Sequence, residues 1–382
     1  MNRVDVAPEL LRWACERSGR DREYLLKRFP KLDAWELGEA LPTFKQLEQF
    51  AKATYTPIGY LFLREPPIEE LPVTDFRTMG NVEVSHPSPD LLDTLHLCQQ
   101  RQDWYRDEAR SAGEPPLEFV GSLDTSVDAE VAGTRLRDAL GFDMAKRRQL
   151  GTWSEALRQF IEQADALGIL VMVSGIVGSN THRKLDPEEF CGFALVDSLA
   201  PLIFINGADT KAAQMFTLAH EIAHLWLGES GISNIQAVSV PDHAVERWCN
   251  RVAAELLVPT ELLHEEFNPG ADSRGEADRL ARRFKVSTLV VLRRIHDVGG
   301  MEWEEFRYAY RGEVARLREL QAGGGGGNAI RNVGARVSKR LARSLVASAL
   351  EGRTSYTEAY RLLGIRKLAS FESVAASLGV GV

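Results

Sequence analysis

Cysteine is scarce in this chain, and its few copies are scattered. The 382 residues contain four cysteines, and no two of them form a Cys-X-X-Cys pair. This spacing excludes a zinc cluster built on cysteine pairs and a framework of disulfide bonds. Scattered, unpaired cysteines are typical of a reducing compartment, so we expect a cytoplasmic protein. The four are Cys15, Cys98, Cys191 and Cys249.

Long apolar segments are missing as well. A membrane-spanning helix needs about 20 consecutive apolar residues, and the longest apolar run here, around Leu167–Val173, is no longer than a strand. The first ten residues lack the apolar core of a secretory signal. We therefore expect neither a membrane span nor export.

Several common catalytic motifs are also absent. The chain has no phosphate-binding P-loop, no glycine fingerprint for dinucleotides and no nucleophile elbow. The run of five glycines, Gly323–Gly327, lacks the lysine of a phosphate loop and is typical of a flexible linker. The net charge of −8 argues against general binding of polyanions by the whole chain.

Apolar residues recur mostly at helical spacing, with three short strand-like runs between them. The predicted strands are Ile169–Ser174, Phe190–Val196 and Leu202–Ile205. The predicted helices include several short ones in residues 1–65 and longer ones near 90–112, 210–227 and 245–257. We therefore predict an α+β chain that is mostly helical.

Two histidines and a glutamate form an HExxH motif in one of these helices. His220 and His224 are four residues apart, so they share a helix face and can bind one zinc ion through ring nitrogens. Glu221 is placed to accept a proton from the water that attacks a peptide carbonyl. The flanking residues are apolar, as a buried helix with one polar stripe requires: Phe216, Leu218, Ala219, Ile222, Leu225 and Leu227.

A catalytic zinc ion needs a third protein ligand and an open position for water. Glu246 is the first candidate, because a helix over about Val245–Leu257 places it on one face with Cys249, Asn250 and Ala253. Small residues on this face allow close packing against the HExxH helix. The rival ligands are His243, Asp242 and Glu255. The alternative for each is a solvated position, and Glu255 could instead orient a ligand or form an ion pair.

These segments together resemble the ImmA/IrrE family of metallo-endopeptidases over about residues 150–300. The resemblance rests on Pro201–Asn206, Phe216–Gly228 and Glu246–Pro259. It implies that zinc (Zn²⁺) is bound by His220, His224 and Glu246, and that Glu221 is the general base.

The resemblance also implies a fold. A small sheet would pack on the HExxH helix in a zincin-like domain, and an edge strand beside the cleft could hold an extended substrate by strand addition. Two positions depart from the family pattern. Ala223 stands where glycine is usual, and Trp248-Cys249 stands where Glu-Ala is common; Cys249 is either a contact of the site or an inert buried thiol.

The amino-terminal segment resembles the latter half of a phage-repressor (XRE-like) helix-turn-helix domain. The resemblance rests on Trp35-Glu36-x-Gly38, where the recognition-helix region would end, and on Pro42-Thr43, which would open the next helix. ImmA/IrrE proteins are often fused to such a domain. Asp75-Phe76-Arg77 also matches a stretch of these fusions, and a buried Arg–Asp pair is the simplest interpretation.

DNA binding by this segment would need basic side chains that meet phosphates. Five basic residues cluster around the expected turn and recognition helix. Acidic residues are interleaved with them, so a helical scaffold that docks a protein partner is an equal alternative. The five candidates for DNA contact are Arg20, Arg22, Lys27, Arg28 and Lys31.

The last 55 residues are basic, with nine basic and three acidic side chains and a local charge of +6. We predict two helices, with breaks at Gly364 and Gly379. Two interpretations stay open: contact with nucleic acid or an acidic partner, or a solvated helix face with an apolar packing side. Five of the nine basic residues fall near helical spacing just after the glycine run: Arg331, Arg336, Lys339, Arg340 and Arg343. The packing side is Leu341, Leu345, Val346 and Leu350.

The resemblances and the breaks at Pro66-Pro67 and the glycine run divide the chain into five predicted regions. These are a helix-turn-helix domain (1–66), a helical connection (67–150), a metallopeptidase domain (151–322), a glycine linker (323–327) and a basic helical tail (328–382).

Two functions are compatible with this organisation. The first is a zinc endopeptidase that cleaves a regulatory protein such as a repressor, coupled to DNA binding in transcription or stress control. The second is a DNA-binding regulator or antitoxin-like protein, whose zinc domain mainly binds a protein partner such as a toxin. The sequence does not define an oligomeric state.

Overall fold

Helices dominate the fold, with one small mixed sheet among them, which agrees with the predicted α+β class. The computed structural model describes residues 3–76, 87–233, 243–321 and 331–381. The chain folds as two units. The first holds Met1–Pro72 and Val84–Leu95, and the second holds Val73–Glu83 and His96–Val382.

The first unit consists of short helices around an apolar core, as predicted for residues 1–65. They are α1 (Pro8–Ser18), α2 (Arg22–Arg28), α3 (Leu32–Glu36), α4 (Phe44–Ala53) and a 3₁₀ helix (Ile58–Phe62). Thr43 begins α4 with a capping box in which the Thr43 and Gln46 side chains bond each other's backbone N–H groups. Leu10, Leu47 and Phe50 are fully buried in the core.

The remaining helices belong to the second unit, except that the first of them is part of the first unit up to Leu95. Those up to residue 321 are α5 (Pro89–Ser111), α6 (Ala129–Leu140), α7 (Met144–Arg148), α8 (Trp153–Ala166), α9 (Lys211–Leu227), α10 (Ala244–Leu257), α11 (Thr260–Glu266), α12 (Ser273–Phe284), α13 (Thr288–Asp297) and α14 (Trp303–Gln321). The three longer predicted helices correspond to α5, α9 and α10. Within the described residues, no helix is both long and apolar enough to cross a lipid bilayer.

Five short strands form one sheet in the order β1-β5-β3-β4-β2. They are β1 (Thr74–Asp75), β2 (Leu170–Ser174), β3 (Gly192–Leu195), β4 (Leu202–Asn206) and β5 (Gly231–Ser233). The pairs β1–β5 and β2–β4 are parallel, whereas β3 is antiparallel to both of its neighbours. The three predicted strands are confirmed as β2, β3 and β4. The strands β1 and β5 have two and three residues, too few to show a period.

Helix α9 lies at the centre of the second unit and packs on β3 and β4. Thr210 caps its first turn by accepting a hydrogen bond from the Ala213 N–H group, and Gly228 ends it in the left-handed conformation. Both ends agree with the predicted helix. Helix α10 packs against α9 and α6, so α9 is covered by the sheet and by helices.

The tail forms four helices in residues 331–381, so the prediction of two was wrong. They are α15 (Arg331–Val337), α16 (Lys339–Leu350), α17 (Tyr356–Leu363) and α18 (Leu368–Leu378). Helices α17 and α18 do end at Gly364 and Gly379, as predicted. The extra breaks come from Ser338, with a φ of 70°, and from the turn at Gly352, with a φ of 75°. Helix α15 packs on β2.

Candidate metal centre

The two histidines of the HExxH motif lie on the face of α9 that turns toward α10. Their ring nitrogens converge, because four residues make about one helical turn. His220 Nε2 and His224 Nε2 are 3.1 Å apart. Neither histidine is exposed to solvent. The shared helix face that the sequence predicts is therefore present in the structure.

Glu246, the predicted third ligand, comes from the first turn of α10 and meets both histidines. Its Oε1 atom lies 2.9 Å from His224 Nε2, and its Oε2 atom lies 3.3 Å from His220 Nε2. The two helices approach closely because α9 and α10 present small buried side chains, such as Ala219, Ala223 and Ala253. The donor atoms of the three residues all lie within 4.8 Å of one another.

The geometry of the three donors fits a tetrahedrally bound cation. Ligand atoms about 2.0–2.1 Å from zinc at tetrahedral angles lie roughly 3.3 Å apart. Here the two Nε2 atoms are 3.1 Å apart, and they lie 2.9 and 3.3 Å from the two different oxygens of the Glu246 carboxylate. A lone pair on His220 Nε2 that faced a carboxylate with nothing between them would be repelled. Two imidazoles and a carboxylate are also the donor set of known catalytic zinc sites.

Asn250 determines which nitrogen of His220 faces the other donors. Its Oδ1 atom lies 3.0 Å from His220 Nδ1 and accepts the hydrogen bond, so the proton sits on Nδ1 and Nε2 keeps a free lone pair. Asn250 is one turn after Glu246 on α10, the same spacing as the two histidines. The sequence showed it on the right face, but its role as a partner of His220 was not predicted.

Glu221 is fully buried on the other side of His220, near the middle of the sheet. A Cβ atom built on Gly192 of β3 would lie 3.4 Å from Glu221 Oε1 and 2.6 Å from Thr217 Cγ2. Among the described residues, neither carboxylate oxygen of Glu221 has a hydrogen-bond partner. Burial raises the pKa of this carboxyl group to about 8. A carboxyl group in such a place can exchange a proton near neutral pH.

The charges of the three donors are strongly coupled. Burial works against the ionised form of Glu246, but His220 and His224 together hold its pKa well below the usual value. Burial also opposes a charge on His220, and Glu246 outweighs it and raises that pKa. For His224, burial prevails and lowers the pKa. The group therefore has an ionised carboxylate that attracts positive charge into the interior.

The two rival ligands that the structure describes, His243 and Glu255, do not join the group. His243 is exposed at the start of α10, and Asp242 lies outside the described residues. Glu255 is buried further along α10, where it pairs with Arg294 and accepts hydrogen bonds from Thr260. The ion-pair alternative for Glu255 is thus the observed one. Cys249 is a buried thiol whose pKa burial raises well above the usual value.

A small cavity of about 50 Å³ opens beside the first half of α9. Thr217, one turn before Glu221, lines it, and so do Phe216 and Ala213. Leu289 and Val290 of α13 form much of the opposite wall. The lining is mainly apolar, so this space suits a small apolar group.

The segment Asp75-Phe76 covers the outer side of the centre, which the sequence did not indicate. The Phe76 ring stacks on the His224 ring with centroids 5.4 Å apart and an interplanar angle of 26°. Strand β1 pairs with β5, so the edge strand expected beside the cleft is already paired by the chain itself. Arg77 lies outside the described residues, and the Arg–Asp pair stays a prediction.

Three of the five candidates for DNA contact are engaged within the first unit. Arg22 makes two hydrogen bonds to the Glu36 carboxylate, of 2.5 and 2.7 Å, and also contacts Asp33. Arg20 bonds the Tyr55 hydroxyl group and stacks on its ring. Arg28 donates to the Tyr24 hydroxyl group. Lys27 and Lys31 are exposed.

Several basic residues of the tail contact the second unit. Lys339 pairs with Glu162 at 2.7 Å, and Arg340 bonds the Asp165 carbonyl oxygen at 3.0 Å. Leu341, Leu345 and Val346 are buried, as the packing interpretation expects, and Leu350 is half-buried. Arg343 is exposed and donates to the Leu378 carbonyl oxygen. The Arg331 side chain lies outside the described part.

Comparison with family models gives two matches. Residues 164–296 match the IrrE N-terminal-like domain, a metallopeptidase family, and residues 337–377 match a domain of unknown function, DUF8813. The first match covers the HExxH helix, Glu246 and Asn250, and supports the resemblance to the ImmA/IrrE family in this part of the chain. No curated protein and no solved structure matches the chain.

Proposed function

We propose that this protein is a zinc-dependent endopeptidase that cleaves a regulatory protein, such as a repressor. The observation that supports the proposal is the convergence of His220, His224 and Glu246 on one point, with the Glu221 carboxylate buried beside them. The match of residues 164–296 to a metallopeptidase family points to the same chemistry.

In this proposal His220, His224 and Glu246 hold the zinc ion, and Asn250 orients His220. The bound cation supplies Lewis acidity, which polarises a peptide carbonyl and lowers the pKa of a water molecule. Glu221 takes the proton from the attacking water on a carboxylate oxygen and passes it to the leaving amine. The apolar cavity beside Thr217 receives a side chain of the substrate.

Selectivity is supported by the burial of the site. None of His220, Glu221 and His224 is exposed, and Glu246 is 4% exposed. A peptidase for general digestion needs an open cleft that admits many chains, whereas a closed site restricts access. We therefore propose a dedicated protein substrate.

The same burial supports a second candidate of a different class. A closed metal centre can serve as a structural core for a domain that binds a repressor or a toxin without cleaving it. In this case the protein acts as a regulator or antitoxin-like binder, with the first unit as the proposed DNA-binding part.

The Glu221→Gln variant separates the two candidates. Glutamine keeps the size of the side chain but cannot accept the proton, so we expect full zinc content and no cleavage. Because Glu221 is not one of the three converging donors, its loss should not release the metal. The measurements are zinc content by atomic emission and cleavage of proteins captured on the variant.

The matched control is Glu261→Gln, which changes an exposed glutamate on α11. It should match the wild type in both measurements. A Glu221→Gln protein that retains the biological activity would contradict the peptidase and favour the binder. A wild-type protein that takes up no zinc would contradict both.

A further inference from the structure

The buried centre must open before a polypeptide can reach it, and β1 with Phe76 is the described segment that lies against its outer side. His224 is fully buried, while Phe76, which stacks on it, is only half-buried. Phe76 therefore stands between one proposed ligand and solvent. Its ring also lies edge-on to His243 at 5.8 Å, at the start of the helix that carries Glu246.

We propose that the outer edge of β5 is a binding site for an extended polypeptide, and that the chain's own Thr74–Phe76 segment occupies it as an inhibitory strand. This inference rests on the proposed function of the metal centre. The ligand class is a peptide in the extended conformation with a large apolar or aromatic side chain at the position of Phe76.

Backbone pairing supports the first part of the proposal. Thr74 pairs with Gly231 and Asp75 with Ile232, and the Phe76 N–H group donates to the Ile232 carbonyl oxygen at 3.0 Å. The inhibitory strand thus makes the main-chain contacts that an added peptide strand would make. Strand β5 pairs with β3 on one side, and the inhibitory strand pairs with its other side.

The same pairing is weak enough to be exchanged. Strand β1 has two residues and runs parallel to β5. Parallel pairs are slightly less stable per residue than antiparallel ones. A longer peptide that pairs in the antiparallel sense can therefore displace the inhibitory strand, although the tether favours the resident segment through a high effective concentration.

Gly231 has no side chain and so leaves the space that the Phe76 ring occupies, which we call the seat of Phe76. A Cβ atom on Gly231 would lie 2.2 and 2.3 Å from two ring carbons of Phe76, and no other described atom would be closer than 3.3 Å. Gly231 does not adopt a positive φ, so alanine suits its backbone. The glycine at this position therefore allows the close approach of an aromatic ring, and it is not needed for a backbone turn.

Two variants test the proposal by removing the ring or its seat. Phe76→Ala removes the contact with His224, and Gly231→Ala pushes the ring away. In the zinc-loaded Glu221→Gln background, we expect both to release zinc to a colorimetric chelator about tenfold faster than the parent, since the apolar cover over His224 is lost. Phe62→Ala, which removes a half-exposed ring in the first unit, is the matched control and should release zinc at the parent rate.

Peptide binding is the second readout. The probe is a fluorescent peptide with the sequence of residues 72–76, Pro-Val-Thr-Asp-Phe, followed by anisotropy. We expect Phe76→Ala to bind it more tightly than the parent, in which the tethered segment competes. Gly231→Ala should not bind it more tightly, because the added methyl group also obstructs the phenylalanine of the probe. Equal zinc release in parent and variants, or equal peptide binding by the parent and Phe76→Ala, with all proteins folded by circular dichroism, overturns the proposal.

Hydrogen exchange measured on the wild-type protein gives a further test that does not depend on whether the variants fold. If the inhibitory strand detaches locally, the Phe76 amide exchanges much faster than that of Phe204 in the buried strand β4. Exchange of both amides at one rate means that the segment opens only with the whole unit, and overturns the proposal. A chain that binds no zinc refutes the proposed function instead, and this exchange comparison still decides the present inference.

Discussion

At the scale of single residues, two polar side chains of α10 support the site in different ways, Asn250 and Glu255. Asn250 orients His220, which is one of the proposed ligands. Glu255, on another face of α10, ties the helix to its surroundings through Arg294, Arg137 and Thr260. Both are polar residues that the sequence placed on α10, but the partner of each lies on a different element.

Removal of the Asn250 side chain should weaken zinc binding. With Asn250→Ala, the Nδ1–H group of His220 loses its acceptor and Nε2 is no longer held as the free nitrogen. Partners of this kind change metal affinity by about 10–100-fold. The affinity can be measured by competition with a chelator of known strength.

The control for this prediction is Arg251→Ala, the neighbouring exposed residue on α10. Its zinc affinity should equal that of the wild type. An Asn250→Ala protein with wild-type affinity would show that the His220 ring is oriented by its packing alone.

Loss of the Glu255 charge should strongly destabilise the second unit. In Glu255→Gln, the Arg294 guanidinium stays buried, at 6% exposure, without its counter-ion. Breaking one side of a buried ion pair costs about 3–5 kcal/mol. Urea unfolding monitored by tryptophan fluorescence gives the change in the free energy of unfolding.

An exposed pair on α14 serves for comparison. Glu304 bonds Arg307 on the helix surface, and Glu304→Gln should cost less than about 1 kcal/mol. Equal losses in the two variants would mean that the Glu255 pair is screened by solvent, contrary to its burial.

At the scale of elements, the close approach of α6 to α10 depends on one glycine. A Cβ atom on Gly133 would lie 2.6 Å from Cγ and 2.9 Å from Cβ of Glu255, and 3.3 Å from the Leu256 backbone nitrogen. These neighbours cannot move freely, because Glu255 is fixed in its ion pair. The contact holds α6 against the helix that carries Glu246.

Replacement of Gly133 by alanine should therefore destabilise the protein, although the same change usually stabilises a helix. Alanine normally stabilises a helix interior by about 1 kcal/mol relative to glycine. For Gly133→Ala we expect a net loss of about 1–3 kcal/mol from overpacking. Gly312→Ala in α14 is the matched control, because no atom lies within 4 Å of its Cβ position, and it should raise the melting temperature.

Helix α3 bears on the DNA-binding prediction. It has five residues, which corresponds to a length of about 7.5 Å, and Leu32, Trp35 and Glu36 are buried. Few side chains of α3 are therefore exposed and able to contact bases in a DNA groove. DNA binding by the first unit stays a prediction, and its phosphate contacts would come mainly from Lys27 and Lys31.

A gel-shift series at increasing salt tests that prediction. Phosphate contacts release counter-ions, so binding should fall steeply with salt and depend little on sequence. The double variant Lys27→Ala/Lys31→Ala should bind more weakly and with a smaller salt dependence. The absence of salt-sensitive binding to any DNA would leave the protein-docking alternative.

At the scale of the whole molecule, the basic tail is structurally part of the second unit. Arg101 of α5 is buried and donates to the Leu362 and Arg336 carbonyl oxygens of the tail, at 3.0 and 3.2 Å. Burial lowers the pKa of this arginine to about 10. Helix α15 also covers β2, a strand at the end of the sheet.

Deletion of residues 328–382 should thus destabilise the second unit and promote aggregation. It removes the two carbonyl acceptors of Arg101 and uncovers an edge strand, which is prone to pair with other chains. We expect a lower melting temperature and increased light scattering on heating. A truncated protein as stable as the full chain would revive the interpretation of the tail as an independent binding segment.

The local pattern of the sequence was enough to predict the strands β2, β3 and β4 and the bounds of α9, because strand and helix periods and end caps are short-range properties. The same spacing placed His220, Glu221 and His224 together. The helix pattern made Glu246 the first candidate for the third ligand, and the resemblance pointed to the same residue, but its distance from the histidines depends on how α10 packs against α9.

Contacts between distant segments decided the rest. The pairing of β1 with β5, the seat of Phe76 on Gly231 and the docking of α15 on β2 join residues far apart in the chain. Periodicity carries no information on such contacts, since two or three residues show no pattern and register depends on both partners. For the same reason the burial of the metal centre, and so its proposed control by Thr74–Phe76, emerged only from the folded chain.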